Sequence, residues 1–166
     1  MNITLSKTSD VWRILIVDAA ILAIICLVPT LSHLFSVPIY KLNPMTLCLL
    51  AGMLLVNDRR NAFLLALVLP LVSMLISGMP TPLKCVCMVA ELATIVAVFQ
   101  LAENRMGSFV SILCAMICGK AVYYVLKALI VSPAVLIGTS IWLQVALLVA
   151  SALLFGAIKG FAKTKK

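Results

Sequence analysis

The chain has 166 residues, 64% of them hydrophobic and 11% charged, with a formal net charge of +8 and a mean hydropathy of +1.24. One core of this size cannot bury so much apolar surface in water. That excludes a soluble globular domain and leaves a single integral membrane domain over residues 1–166. The cations sit in loops and in the C-terminal tail, with no aromatic-interleaved patch, so no nucleic acid is expected as a partner.

In chain order, residues 1–10 are polar. The apolar run that follows predicts a first helix from about Val11 to Val28, stopping before Pro29. It holds Asp18 and ends without a small-residue cleavage site, which reads as an anchor rather than a removed signal peptide. Ala19 and Ala23, with Ala20 beside them, form a small-xxx-small pattern through which helices approach closely in lipid. Alanine is also an ordinary helix residue. Residues 30–44 read as a loop in which His33 makes a hydrogen bond. A second helix, about Met45 to Val56, is too short to cross a core of about 30 Å at about 1.5 Å per residue without borrowing its flanks. Asn57 to Asn61 is a charged turn. A third helix, about Ala62 to Ser77, contains Pro70, which removes one backbone bond. Gly78, Pro80 and Pro82 stiffen the next loop, and a fourth helix runs from about Lys84 to Leu101. After the polar turn Glu103 to Gly107, a fifth helix covers about Ser108 to Ile130, with an interruption expected at Gly119-Lys120. A sixth runs from about Val135 to Ile158, with Trp142 near the interface, and residues 159–166 form a basic tail.

Six cysteines (Cys26, Cys48, Cys85, Cys87, Cys114 and Cys118) fall within or beside these apolar segments. A disulfide framework belongs to small secreted domains. Cys85-Val-Cys87 has only one histidine in the chain, His33, to help it hold a soft metal. Buried packing roles and no metal site are the expectation.

Glu91 stands out. An acid near the bilayer centre costs about 2.5–3.5 kcal/mol, and each neighbouring Leu, Ile or Val offsets about 0.3–0.6 kcal/mol. The fourth helix can therefore insert, provided the carboxylate faces protein or water. Lys84, Cys87, Glu91 and Thr94 recur at helical spacing on one stripe. Lys120, Tyr123, Tyr124 and Lys127 share a face of the fifth helix, and Ser140, Gln144 and Ser151 one of the sixth. Two readings stay open for the Glu91 stripe: contact with a substrate, or a structural ion pair or protonated glutamate between helices. Lys120 either stays in the bundle or snorkels to the interface.

With a cytoplasmic N-terminus, Lys7, Arg13, Arg59, Arg60, Arg105 and the basic tail all lie inside, and only Lys41, Lys84 and Lys127 outside. Six transmembrane helices with both termini in the cytoplasm satisfy the positive-inside rule, for a multi-pass protein of the inner (cytoplasmic) membrane. Glu91 then lies roughly 10 Å, and Lys120 roughly 14 Å, below the outer surface. Adjacent antiparallel helices can bring them together. The candidate substrate-binding set is Glu91, Lys120, Lys84, Tyr123, Tyr124, Gln144 and Thr94.

Asn43-Pro44-Met45, Leu69-Pro70-Leu71, Ser77-Gly78-Met79-Pro80, Met88-Val-Ala-Glu91-Leu92, Gly119-Lys120 and Leu143-Gln144 occur in this order along nearly the whole chain. In this pattern the chain resembles the substrate-binding S component of an energy-coupling factor (ECF) vitamin transporter. It departs from the common pattern at Thr46, where such proteins often carry His, and at Lys120, where they often carry Arg. The resemblance implies six helices that bind a vitamin or related micronutrient from outside, enclosed by loops and helices four to six. It implies docking of helix one, through Ala19, Ala20 and Ala23, on a transmembrane coupling subunit that carries two ATPase subunits, and toppling of the S component to release its cargo inside.

The chain contains no Gly-rich phosphate loop, so ATP would be used by the partner subunits and no cofactor is expected on this chain. A stand-alone carrier in which Glu91, Lys120 and Asp18 relay protons is the alternative. An intramembrane enzyme is not expected, because the chain lacks a His-Glu pair on a helix, an Asp-rich diphosphate site and a Ser/His/Asp set. The lysines suit an anion and the tyrosines an aromatic ring. Pantothenate, a pyridoxine-like ring and a folate-like compound all stay open as ligands.

Overall fold

The computed structural model describes residues 3–36, 39–56, 58–78, 80–103, 105–130 and 141–164, with the backbone alone for 3–10, 40, 41, 141, 143 and 161–164. Among them are six α-helices: α1 (Ile3–Leu34), α2 (Pro44–Leu55), α3 (Arg59–Ser77), α4 (Pro82–Ala102), α5 (Ser108–Ile130) and α6 (Ile141–Thr164). A 3-10 turn, Ile39–Leu42, precedes α2, and the described residues contain no strand.

Helices α3, α4 and α5 follow the hydrophobic runs from which they were expected. Their ends are marked by local chemistry. Asp58 caps α3, its Oδ1 accepting from the Arg60 amide at 3.0 Å, and Pro82 opens α4 where its missing N–H costs nothing. Four expectations change, the first at the Asn57 to Asn61 turn, whose Arg59, Arg60 and Asn61 already belong to α3. Helix α1 does not stop before Pro29; it runs through it to Leu34, which places His33 on the last helical turn. A proline removes one bond of a long helix, and the surrounding turns keep the rest. Helix α5 is continuous through Gly119-Lys120. Helix α6 extends to Thr164, so most of the basic tail is helical; its expected start at Val135 lies outside the described residues.

Helices α2, α3, α4, α5 and α6 each pack on the next, and α6 returns to α2. Helix α1 lies against α2 and α3. The core threads all six, through Ile21, Leu49, Leu65, Leu69, Leu92, Ile95, Ile112 and Phe155 among others. Gly52 lets α2 into this packing: a Cβ there would stand 2.7 Å from Leu65 Cδ1 and 3.1 Å from Ile21 Cδ1.

Large apolar side chains also cover the outside. Trp12, Ile16, Leu64, Leu75, Val125, Leu129 and Leu154 are all exposed. Water would not tolerate such a surface, whereas lipid matches it. Four helices, Val11–Leu34, Arg59–Ser77, Pro82–Ala102 and Ser108–Ile130, are long and apolar enough to cross a membrane. Pro44–Leu55 and Gln144–Gly160 are shorter apolar helical stretches. The architecture is that of an all-α, multi-pass membrane protein.

The bundle has two polar ends. At one, the Arg13 guanidinium donates to the Leu55 carbonyl at 3.1 Å, Gln100 Nε2 to the Arg59 carbonyl at 3.4 Å, and Lys159 meets Glu103. The N-terminal part of α1 and the C-terminal part of α6 are therefore at the same end. Asn43, Lys84, Lys127 and Gln144 belong to the opposite end, at the start of α2, α4 and α6 and the finish of α5.

Candidate functional site: a buried Glu91–Lys120 pair

Helices α4 and α5 run side by side and approach closely at Gly119, where α5 has no side chain. A Cβ on Gly119 would meet Ile95 Cγ1 at 2.5 Å and the Glu91 carbonyl oxygen at 3.1 Å. That proximity places the next residue, Lys120, against Glu91. The ammonium Nζ stands 2.6 Å from Glu91 Oε1. The carboxylate is 3% exposed and the lysine 24%, so the acid lies behind the cation. The contact is an ion pair at hydrogen-bonding distance. A carboxylate has about four acceptor positions, so this one retains capacity for a further donor.

Asn43 reaches the same carboxylate from α2. Its backbone is left-handed, with φ 52°, directly before Pro44, and its side chain does not cap the helix. Few non-glycine residues adopt this conformation, and a following proline disfavours helical backbone further. The side chain is thereby turned toward Glu91 rather than onto the α2 amides. In the first turn of α2, Thr46 is 1% exposed and its Oγ1 meets no hydrogen-bond partner among the described residues.

The face of α5 beyond Lys120 completes the cluster. The Tyr123 ring centroid lies 5.5 Å from Lys120 Nζ and 6.0 Å from Lys127 Nζ. Tyr124 sits edge-on to Tyr123, with centroids 5.5 Å apart at 76°. The Tyr124 hydroxyl donates to Gln144 Oε1 on α6. Cys87 is buried and neighbours both Tyr123 and Lys127. Lys84 is exposed in the first turn of α4, near enough to Lys127 to repel it.

The structure thus gathers Glu91, Lys120, Tyr123, Tyr124 and Gln144, with Lys84 at the margin. Thr94 behaves differently: its hydroxyl donates to the Ala90 carbonyl of its own helix at 2.7 Å. Asn43 was missed as a candidate, because an Asn-Pro pair before a helix reads as a turn or cap. Its sequence signal was only its place in the Asn43-Pro44-Met45 pattern.

Asp18 stands apart from this cluster. It accepts from Asn61 Nδ2 at 2.9 Å, tying α1 to α3. With Ala19 it lines an open groove of about 310 Å³ along α1, bounded also by Val11, Ile14, Leu15 and Leu22. Ala19, Ala20 and Ala23 are all exposed. No group of three or more His, Cys, Asp or Glu among the described residues has the arrangement of a metal site. The six cysteines are free thiols. In comparisons with protein-family models, curated proteins and solved structures, nothing matches this chain.

Proposed function

We propose that the chain is the substrate-binding subunit of an ECF-type transporter. It spans the cytoplasmic membrane six times with both termini inside. It takes a vitamin or related small micronutrient from the exterior at the Asn43 end of the bundle, and delivers it inward by docking, through Ala19, Ala20 and Ala23 of α1, on a coupling subunit driven by two ATPases. No reaction is catalysed on this chain.

The buried Glu91–Lys120 pair carries the reading. Replacing such a pair by apolar side chains is often neutral or stabilising, so architecture alone is a weak reason to keep it in a membrane. Beside it stand groups suited to a guest: Asn43 held in a left-handed conformation, two tyrosines and the Gln144 amide. The two charges satisfy each other, and a ligand enters by sharing or replacing one partner.

The stand-alone proton carrier draws less support, because Asp18, the third member of its relay, is engaged by Asn61 in the α1–α3 contact. Uptake in cells with and without an ECF ATPase module tests the proposal. The reading expects a small molecule to be retained through purification and uptake to require the module. Uptake that persists without it would instead establish the carrier.

A further inference from the structure

The charge around the site bears on which molecules it receives, given the receptor reading above. The chain has five acidic side chains. Asp18, Asp58 and Glu103 belong to the Arg59 end, as does the position of Asp10 on α1. Glu91 alone serves the Asn43 end. Three lysines are described at that end, Lys84, Lys120 and Lys127, and Lys120 pairs with Glu91. Glu91 neutralises Lys120, which leaves Lys84 and Lys127 as like charges close to one another with no carboxylate between them. Such an excess is repulsive in a low-dielectric site and attracts an anion.

The geometry gives the anion a place. Lys120 and Lys127 project from α5 two turns apart and approach the same ring, Tyr123, at 5.5 and 6.0 Å. Lys120 is the more exposed member of its pair and has donors beyond the one that faces Glu91. Tyr124, edge-on and fixed by Gln144, adds a second aromatic surface. We propose that Lys120 and Lys127 clamp the negatively charged group of a small organic acid whose body packs against Tyr123 and Tyr124.

The test uses the full chain in lipid nanodiscs, titrated by calorimetry with two matched pairs: pantothenate against pantothenol, and 4-pyridoxate against pyridoxine. In each pair a carboxylate replaces a hydroxymethyl group. At least one acid should bind about tenfold or more tightly than its alcohol, and the difference should shrink with added salt. Lys127→Met, which leaves the Glu91–Lys120 pair intact, should weaken the acid by more than it weakens the alcohol and so narrow the gap between them severalfold; a gap left at its wild-type size overturns the clamp. An alcohol that binds as well as its acid, or a neutral or cationic molecule retained from the cell, overturns the anion class and leaves the receptor reading standing. A folded protein that binds none of the four and retains nothing from the cell overturns both.

Discussion

Helix α4 and its C-terminal cap carry two carboxylates, Glu91 and Glu103, each paired with a lysine near an aromatic ring, and the two pairs are built on opposite terms. Glu103 meets Lys159 of α6 at 2.5 Å, and the ammonium lies 4.3 Å from the Phe99 centroid. The glutamate is 34% exposed, so water reaches it. Either partner can be removed and the other hydrated, which is why exposed pairs contribute little. Glu91 meets Lys120 at nearly the same distance, but the carboxylate is buried to 3%. If its partner is removed, water cannot take over. The end pair fastens the close of α4 to α6; the interior pair buries a carboxylate behind its lysine, out of reach of water.

The contrast breaks most sharply at Lys120. Lys120→Met strands the Glu91 carboxylate and should lower unfolding stability by about 3–5 kcal/mol, measured by thermal denaturation in nanodiscs. Adding Glu91→Gln should recover most of that loss, because no uncompensated charge remains. A single variant as stable as the double one would mean that water reaches Glu91 and that the two pairs are alike.

Gly119→Ala comes next. Its methyl group would collide with fully buried Ile95 and press on the Glu91 carbonyl, so a loss of about 1–3 kcal/mol is expected from the same melts. Tyr124→Phe should cost about 0.5–1.5 kcal/mol through the lost bond to Gln144, with a proportionate weakening of ligand binding. Lys159→Met sets the lower bound, at or below about 1 kcal/mol and vanishing in high salt. A larger or salt-independent loss at Lys159 would erase the distinction between the two pairs.

Much of this arrangement was legible in the residues, for identifiable reasons. The long apolar runs of α3, α4 and α5 have few competing signals, and their helices lie where those runs predict. The Glu91–Lys120 contact was one of the readings that depth left open, since two charges at similar height on consecutive antiparallel helices can meet. Elsewhere local signals misled. Pro29 reads as a stop, but a long helix tolerates the loss of one bond, and α1 continues to Leu34. Gly119 reads as an interruption, whereas its missing side chain serves the contact with α4 and leaves α5 unbroken. Thr94 lies on the Glu91 stripe, yet a threonine in a helix can bond its own preceding turn, and it does. Asn43 reached the site only through a left-handed backbone that no periodicity reveals.

The claim that the interior charges are kept for a ligand is tested most directly by native mass spectrometry of the Glu91→Gln/Lys120→Met protein beside the wild type, both taken from the same cells. The account predicts a double variant that melts close to the wild type and has lost the small molecule that the wild type carries. A folded double variant that still carries that molecule at wild-type occupancy would contradict it.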